Sequence, residues 1–567
     1  MKSLRLSAIF LFLASSLLPG QSNPVPLIQN PLVPTSAAPR SPEFTLIVNG
    51  TGFVVGSTVN WDGVPLTTAL VNNSQLTANV PAAKVRESGT ASVTVVNPAP
   101  GGGTSDPVFF SVTNPLPAMG YPSRANLKAY GGWMIASDLN QDGNPDLIVT
   151  SLFERQDNIA VLIGNGDGTF QPPVYYTAGD RRNPLIDSGW IVAGDFNNDG
   201  FPDLAAVSAT SDNNPAVFIL LNRGDGTFGP PRGYPASAGA WNLATGDFNR
   251  DGNLDIVVAN VLDNSVGVYL GNGDGTFQFP MEFHNNSAAN VNVGDFNGDG
   301  ILDLLVSSFG GFNVMLGNGD GTFQPPSRFR NLEVTSPPAI ADLNGDSKLD
   351  AVVEQSGAGG FVVLLGNGDG TFRQESFYAQ QVLTGISLAD LDGDGKLDLA
   401  VSGAAAIVSV YKGNGDGTFQ KQPLDFATGS EPFTMVAADF NKDGRMDLAT
   451  ADSYDDTVSV LLQSPTVLDP CPLAFGSVPV GSSSTLSVLV RNGDAVPLTV
   501  SGARITGDSD FAAINDCGSS VPPGATCRFR VTFKPTEFGR RTAGMHIKDS
   551  SNSSPQLVPL TGTGTAR

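Results

Sequence analysis

Residues 194–204 read GDFNNDGFPDL: three aspartates and two asparagines within nine positions, then an apolar turn. Six close copies recur: SDLNQDGNPDL (137–147), GDFNRDGNLDI (246–256), GDFNGDGILDL (294–304), ADLNGDSKLDA (341–351), ADLDGDGKLDL (389–399) and ADFNKDGRMDL (438–448). Their first aspartates are Asp138, Asp195, Asp247, Asp295, Asp342, Asp390 and Asp439, separated by 57, 52, 48, 47, 48 and 49 residues. A second motif, GNGDGTF or NRGDGTF, keeps phase and ends at Phe170, Phe228, Phe277, Phe323, Phe372 and Phe419. A period of this length marks a repeat architecture.

Each unit reads alike. A strand such as WIVAG (190–194) enters the acidic loop and DLAAVSA (203–209) leaves it. AVFILLN (216–222) leads to the GDG turn, and TFGPPRGY (227–234) follows. Asn-Gly and Asp-Gly junctions favour hairpins because glycine takes positive φ freely. Four strands of about 5–6 residues plus turns fill one period. A single sheet of this size cannot bury both faces, whereas radial stacking buries them and leaves few open edges. The expected fold is therefore all-β, with a seven-bladed β-propeller at 114–464. The seventh unit carries SPTV where GNGDGTF should stand, so it lacks a fourth strand. The segment NPLPAMGYPS (114–123) is similar to the fourth strand FQPPVYYTAG (170–179) and is expected to complete that blade, locking the ring.

Numbered from the first aspartate, each loop places oxygen-bearing side chains at positions 1, 3, 5 and 9. These are Asp138, Asn140, Asp142 and Asp146 in the first loop, and Asp195, Asn197, Asp199 and Asp203 in the second. The third has Asp247, Asn249, Asp251 and Asp255, and the fourth Asp295, Asn297, Asp299 and Asp303. The fifth has Asp342, Asn344, Asp346 and Asp350, the sixth Asp390, Asp392, Asp394 and Asp398, and the seventh Asp439, Asn441, Asp443 and Asp447. A hard cation such as Ca²⁺ takes 6–8 oxygens at about 2.3–2.6 Å, and alternate positions of a tight loop converge on it. The backbone carbonyl at position 7 adds a ligand. The metal-free alternative is an Asx-rich turn, but a turn does not call for a carboxylate at position 9 in every copy. Up to seven structural Ca²⁺ ions are expected. Seven divalent ions would offset more than half of the formal net charge of −23. The fifth loop should bind weakest, because Ser347 stands where the others have glycine.

The 567 residues exceed one core, so more than one domain is expected. Residues 1–22 read as a secretory signal peptide: Lys2 and Arg5 precede an apolar run too short to span a membrane. Residues 23–40 read as a Pro-rich extended leader. Alternating strands at 41–113 and at 465–567 each suit an immunoglobulin-like β-sandwich. No later stretch is long and apolar enough to be a transmembrane helix, and the acidic charge argues against nucleic acid or anionic membrane as partners. The expected location is secreted or at the cell surface. Of three cysteines, Cys517 and Cys527 are ten residues apart and can close a small loop in an oxidising compartment, leaving Cys471 over; three buried free thiols is the alternative.

The D-x-[ND]-x-D-G-x-x-D loops with GNGDGTF resemble the FG-GAP/VCBS repeats of the integrin α-subunit-like propeller. That resemblance implies a seven-bladed ring with Ca²⁺ in the hairpins between strands one and two, and ligands often met on the opposite face. FTLIVNGTGFVVGSTVNWDG (44–63) with TASVTVVNPAPGGGTS (90–105) resembles the IPT/TIG domain. LAFGSVPVGSSSTLSV (473–488), NDCGSSVPPGATCRFRVTFKPTEFG (515–539) and LTGTG (560–564) resemble ASPM/SPD-2/Hydin-type immunoglobulin-like domains, a pattern that the Cys517 and Cys527 spacing fits and Cys471 does not.

No catalytic constellation is visible. The two histidines, His284 and His546, fall in different domains, without metal-ligand spacing. The expected role is non-catalytic recognition or adhesion, with an extracellular glycan or protein as ligand. The alternatives are an enzyme acting on extracellular polysaccharide and a structural spacer in a surface assembly. Candidate ligand contacts are Arg181 and Arg182 in the longest inter-blade loop, with Trp133, Trp190 and Trp241 at the starts of three first strands. Core packing is the plainer role for the tryptophans. Their offsets from the acidic loops differ by one residue, so all three need not share a face.

Overall fold

In the computed structural model the described residues are 22–566, except 117–118, 122, 152–157, 179–187, 209–214, 286–287, 309–310, 330–335, 356–358, 380–382, 404–405, 465, 470–472, 494–496 and 552–553. Among them every regular element is a β-strand. Seven four-stranded antiparallel sheets form the blades. Blade 1 runs Met134–Ser137, Asp146–Thr150, Ile159–Leu162 and Val174–Tyr176, in that order across the sheet. Its second and third strands are buried on both faces, because neighbouring blades cover both; the fourth lies at the rim, with Val174 and Tyr175 exposed. One apolar cluster joins Ile148 and Val161 of blade 1 to Leu204 and Phe218 of blade 2. Another joins Ala449 and Val460 of blade 7 to Leu147 and Val149 of blade 1, closing the circle.

A single hydrogen bond recurs at all seven junctions. The carbonyl at loop position 2 accepts from the next blade around the ring. For Phe196, Phe248, Phe296, Leu343 and Phe440 the donor is the N–H of the second glycine of a GDG turn: Gly275, Gly321, Gly370, Gly417 and Gly168. For Leu139 and Leu391 the donors are the side-chain amides of Asn222 and Gln463. Gln463 explains how blade 7 closes without a GDG turn.

The strand that completes blade 7 is Ser123–Lys128, antiparallel to Thr457–Leu462. The ring is locked as expected, but the pairing begins at the last residue of the segment expected to do it. Prolines at 115, 117 and 122 supply no N–H to a ladder, so the strand starts beyond them.

The first sandwich begins earlier than position 41. Leu27–Val33 pairs with Phe44–Thr51, and Ser36–Ala37 pairs in parallel with Val108–Val112. The supposed leader is therefore two strands of this domain. Ile28 and Leu32 point into its core, an alternation that the proline content masks. Trp61 and Phe110 sit at the centre, ring centroids 5.1 Å apart. In the C-terminal sandwich Thr466–Asp469 and Leu473–Pro479 start the two sheets, and Phe511 stacks on Phe533. Cys517 and Cys527 are disulfide-bonded. Cys471 lies outside the described residues, as do residues 1–21 of the 1–22 stretch that reads as a signal peptide.

Candidate functional site

The acidic loops join strands one and two of each blade and share one geometry. In the third loop, Asp247 Oδ1 accepts the Asp251 N–H at 3.1 Å and Oδ2 accepts the Gly252 N–H at 2.9 Å. Asn249 Oδ1 accepts from Asp251 N–H, and Asp251 Oδ1 from Asn253 N–H, both at 2.9 Å. The wrap needs left-handed backbone at positions 4 and 6. Position 6 is legible as glycine. Position 4 is not, because Gln141, Asn198, Arg250 and Lys442 share it with three glycines.

Ser347 holds φ at 65° and still donates its N–H to Asp342 Oδ2 at 2.7 Å, so the fifth loop keeps the common shape under strain. Ser347→Gly should raise stability by about 1 kcal/mol, the cost of a left-handed non-glycine residue. A urea unfolding midpoint that stays put or falls would contradict this.

Position 9 is the first residue of the second strand in every blade, and all seven aspartates there are at most 1% exposed. Each carboxylate spans two hairpins. Asp203 Oδ2 accepts the Phe196 N–H at 3.1 Å and Oδ1 accepts the Asn222 N–H, 19 residues on, at 2.7 Å. Position 9 thus has a structural role independent of any ion. Burial pushes the carboxyls of Asp146, Asp203, Asp303 and Asp350 up to about 7, and those of Asp255 and Asp398 up to about 8, against backbone N–H donors that pull the other way.

The donor set is oxygen alone, which suits a hard divalent cation. In the sixth loop, carboxylate oxygens of Asp390, Asp392 and Asp398 all lie within 4.8 Å of one another. That is the span of oxygens facing across an ion held at about 2.3–2.6 Å. Oxygens that accept a single backbone N–H, such as Asp247 Oδ1 and Asn249 Oδ1, keep a second lone pair, whereas Asp247 Oδ2 and Asp390 Oδ2 are filled by two or more donors. The residues present therefore fit Ca²⁺.

The loops differ in charge compensation. Lys348 lies 3.7 Å from Asp346, Lys396 3.4 Å from Asp394, Lys412 2.6 Å from Asp392 and Arg445 3.6 Å from Asp443. Among the described residues no ion pair reaches the acids of loops 1 to 4.

The first sandwich docks on this face through the loops. Val25 N–H donates to Asp247 Oδ2 at 2.9 Å, Thr35 and Ser36 hydroxyls to Asp390 Oδ2 at 2.9 and 2.8 Å, and Thr90 Oγ1 to Asp439 Oδ2 at 2.5 Å. Asn73 Nδ2 donates to the Asp299 carbonyl at 2.8 Å. The approach is close: a Cβ on Gly252 or Gly444 would lie under 3 Å from sandwich backbone. Because the donors recognise position-1 carboxylates, removing them with Thr35→Val, Ser36→Ala and Thr90→Val together should loosen the domain. Solution scattering should then show a larger radius of gyration than in the parent protein; identical curves would refute the coupling.

On the opposite face, Trp133 and Trp190 meet with ring centroids 3.8 Å apart. Trp241 does not join them. It sits at a register shift between Ala240 and Asn242, one position out of phase. Trp133 is buried and packs on Phe433, so its plainer role as packing is partly met. Arg181 and Arg182 lie outside the described residues.

The FG-GAP-like repeat matches residues 138–206, 195–258, 247–306, 295–353, 342–401 and 390–450, more than half of the chain. The chain belongs to the FG-GAP-like repeat family. Each FG-GAP match starts at loop position 1 and ends in or beside the next blade's second strand, so the family's unit straddles two acidic loops. The IPT/TIG domain matches 29–112 and Cep192 domain 4 matches 465–565. Human integrin alpha-7 is 31% identical over 149 residues, 24% of this chain and 12% of that protein; the chain thus spans about an eighth of this relative. Among solved structures, an Agrocybe aegerita lectin that recognises non-reducing terminal N-acetylglucosamine is 20% identical, with TM-score 0.40, covering 65% of this chain and 96% of its own. An auxiliary nutrient binding protein from Bacteroides ovatus is 12% identical, TM-score 0.36, covering 77% and 98%. The Dos1 propeller is 11% identical, TM-score 0.41, covering 60% and 95%.

Proposed function

We propose that the FG-GAP ring is a calcium-stabilised, non-catalytic recognition module of the secreted or cell-surface space, meeting an extracellular glycan or protein on the face away from the acidic loops. The observation that carries this is the set of seven buried position-9 carboxylates, each beneath a loop whose remaining oxygens fit Ca²⁺. When bound, the ions supply charge neutralisation and cross-link strands one and two. The chain's own residues orient the oxygens, and the first sandwich occupies the loop face, which directs ligand to the other.

Two further features support the reading. His284 lies on the outer strand of blade 3 and His546 in the C-terminal sandwich against Thr506, so neither meets the acidic loops as an acid–base partner. The Cys517–Cys527 disulfide suits an oxidising compartment. Among the described residues no helix is long and apolar enough to cross a membrane.

The test is metal analysis after dialysis into millimolar calcium, joined to a glycan and protein binding screen with calcium and with chelator. Several equivalents of calcium per chain and saturable, chelator-sensitive binding are expected. A chain that carries no calcium refutes the metal reading. Turnover of a glycan, lost with one Asp or Glu change outside the loops, would instead assign an enzyme.

A further inference from the structure

We propose that the mouth of the central channel, on the face away from the acidic loops, binds a neutral sugar ring. This deepens the recognition reading above and rests on it. The innermost strand of each blade runs toward its acidic loop, so the first residues of these strands gather around the axis on the opposite face. There a cavity of about 170 Å³ opens, and the described residues that line it all belong to the ring. Trp133 and Trp190, each five residues before a loop's first aspartate, form one wall at an interplanar angle of 58°. At the same offset blades 6 and 7 carry Gly385 and Thr434, which leaves room in front of the indoles.

Two polar atoms in this wall are unmet. Asn292 Oδ1 and Ser336 Oγ are buried and have no hydrogen-bond partner among the described residues. Ser336 is only 7% exposed. The Asn292 amide is oriented by its Nδ2, which donates to the Pro338 carbonyl at 3.1 Å. Buried polar atoms of this kind normally find a partner.

Among the described residues no Asp, Glu, Lys, Arg or His lines the cavity. A charged ligand would therefore be desolvated without a counter-charge. An apolar peptide side chain would leave both orphaned atoms dry. A pyranose supplies what is missing: hydroxyls that donate to Oδ1 and exchange a hydrogen bond with Ser336, and a C–H face that lies on an indole.

The test uses the full chain with calcium present and titrates methyl glycosides of neutral hexoses and an N-acetylhexosamine by calorimetry, with glucuronate, glucosamine and a short apolar peptide as controls. Saturable millimolar binding of a neutral glycoside is expected. Trp190→Ala should weaken it by about 10-fold. Ser336→Ala should weaken it several-fold at an unchanged melting temperature, since its Oγ has no hydrogen bond within the ring to lose, which separates a lost contact from a lost fold. The proposal is overturned if no neutral glycoside binds at about 50 mM. It is also overturned if binding ignores these substitutions, if a charged sugar or the peptide binds better, or if only ordered water occupies Asn292 and Ser336. Calcium content measured on the same sample keeps the two readings apart: calcium retained without sugar binding sinks this proposal alone.

Discussion

Dialysis against EDTA should lower the melting temperature of the propeller by about 14 °C. A site with a dissociation constant of about 0.1 mM contributes about 1.4 kcal/mol at about 1 mM free calcium, and seven contribute about 10 kcal/mol. A ring of about 340 residues unfolds with an entropy of about 0.7 kcal/mol per kelvin, which sets the quotient. The size of the drop should depend on pH, in a direction fixed by the position-9 carboxyls. Their ordinary value in an unfolded chain is about 3.9. In the calcium-free ring burial raises them to about 7 or 8. A carboxyl raised on folding favours the folded state at low pH, and that contribution is lost as pH rises through 7 to 8. The chelated protein should therefore melt lower at about pH 8.5 than at about pH 5.5. Calcium needs the same groups ionised, so its stabilisation grows over that interval. Calorimetry should show the gap between loaded and chelated protein widening with pH. A constant or narrowing gap would mean that the buried carboxyls are not ligands.

The loaded form should also hold its first sandwich more firmly. Asp247, Asp390 and Asp439 accept hydrogen bonds from that domain and are position-1 members of three loops. Whatever fixes those carboxylates ionised and in place favours docking, and docking in turn favours the ion by the same free energy. The four loops without a basic neighbour within ion-pair distance among the described residues should depend on calcium most. In loops 5 to 7 Lys348, Lys396, Lys412 and Arg445 already offset part of the charge.

The architecture was legible because it is repeated. One loop such as GDFNNDGFPDL is an ambiguous turn, while seven in phase with strand-length apolar runs admit few folds besides a ring. What stayed hidden was whatever the repeat does not copy. The closing strand sits at SRANLK (123–128) and was obscured by the prolines before it. The first two strands of the N-terminal sandwich were hidden by the same residue type, although Ile28 and Leu32 carried the alternation. The docking of that sandwich leaves no periodic trace, since Val25 contributes only its backbone N–H. At the candidate ligand face the one-residue phase difference did separate Trp241 from Trp133 and Trp190. The orphaned Asn292 and Ser336 had no signal at all, because lacking a partner is a property of the assembled ring.

Asp255→Ala and Asp255→Asn should separate the two roles of position 9. Asp255 Oδ2 accepts the Phe248 N–H at 2.9 Å and Oδ1 accepts the Gly271 N–H at 2.8 Å, with the side chain fully buried. Alanine leaves both donors unmet at about 1–3 kcal/mol each, so a loss of about 2–6 kcal/mol is expected without calcium, and about 1.4 kcal/mol more with it. Asparagine keeps one acceptor oxygen, but its Nδ2 sets a donor against the second backbone N–H. At about pH 6 the chelated parent carries a proton on Asp255, since burial holds the carboxyl near 8, and loses no acceptor oxygen by it. Without calcium Asp255→Asn should therefore lose about 1–3 kcal/mol, the cost of one unmet donor and about half the loss for alanine. In calcium the same variant also lacks an anionic ligand and should lose roughly one site, about 1.4 kcal/mol more than without calcium, along with one equivalent of bound metal. Urea titrations of the three proteins in both conditions decide the matter. Equal losses for alanine and asparagine without calcium would discard the tether between hairpins. An asparagine variant that loses no more in calcium than without it, with its metal count unchanged, would remove Asp255 from the coordination shell and leave the carboxylate with its backbone role alone.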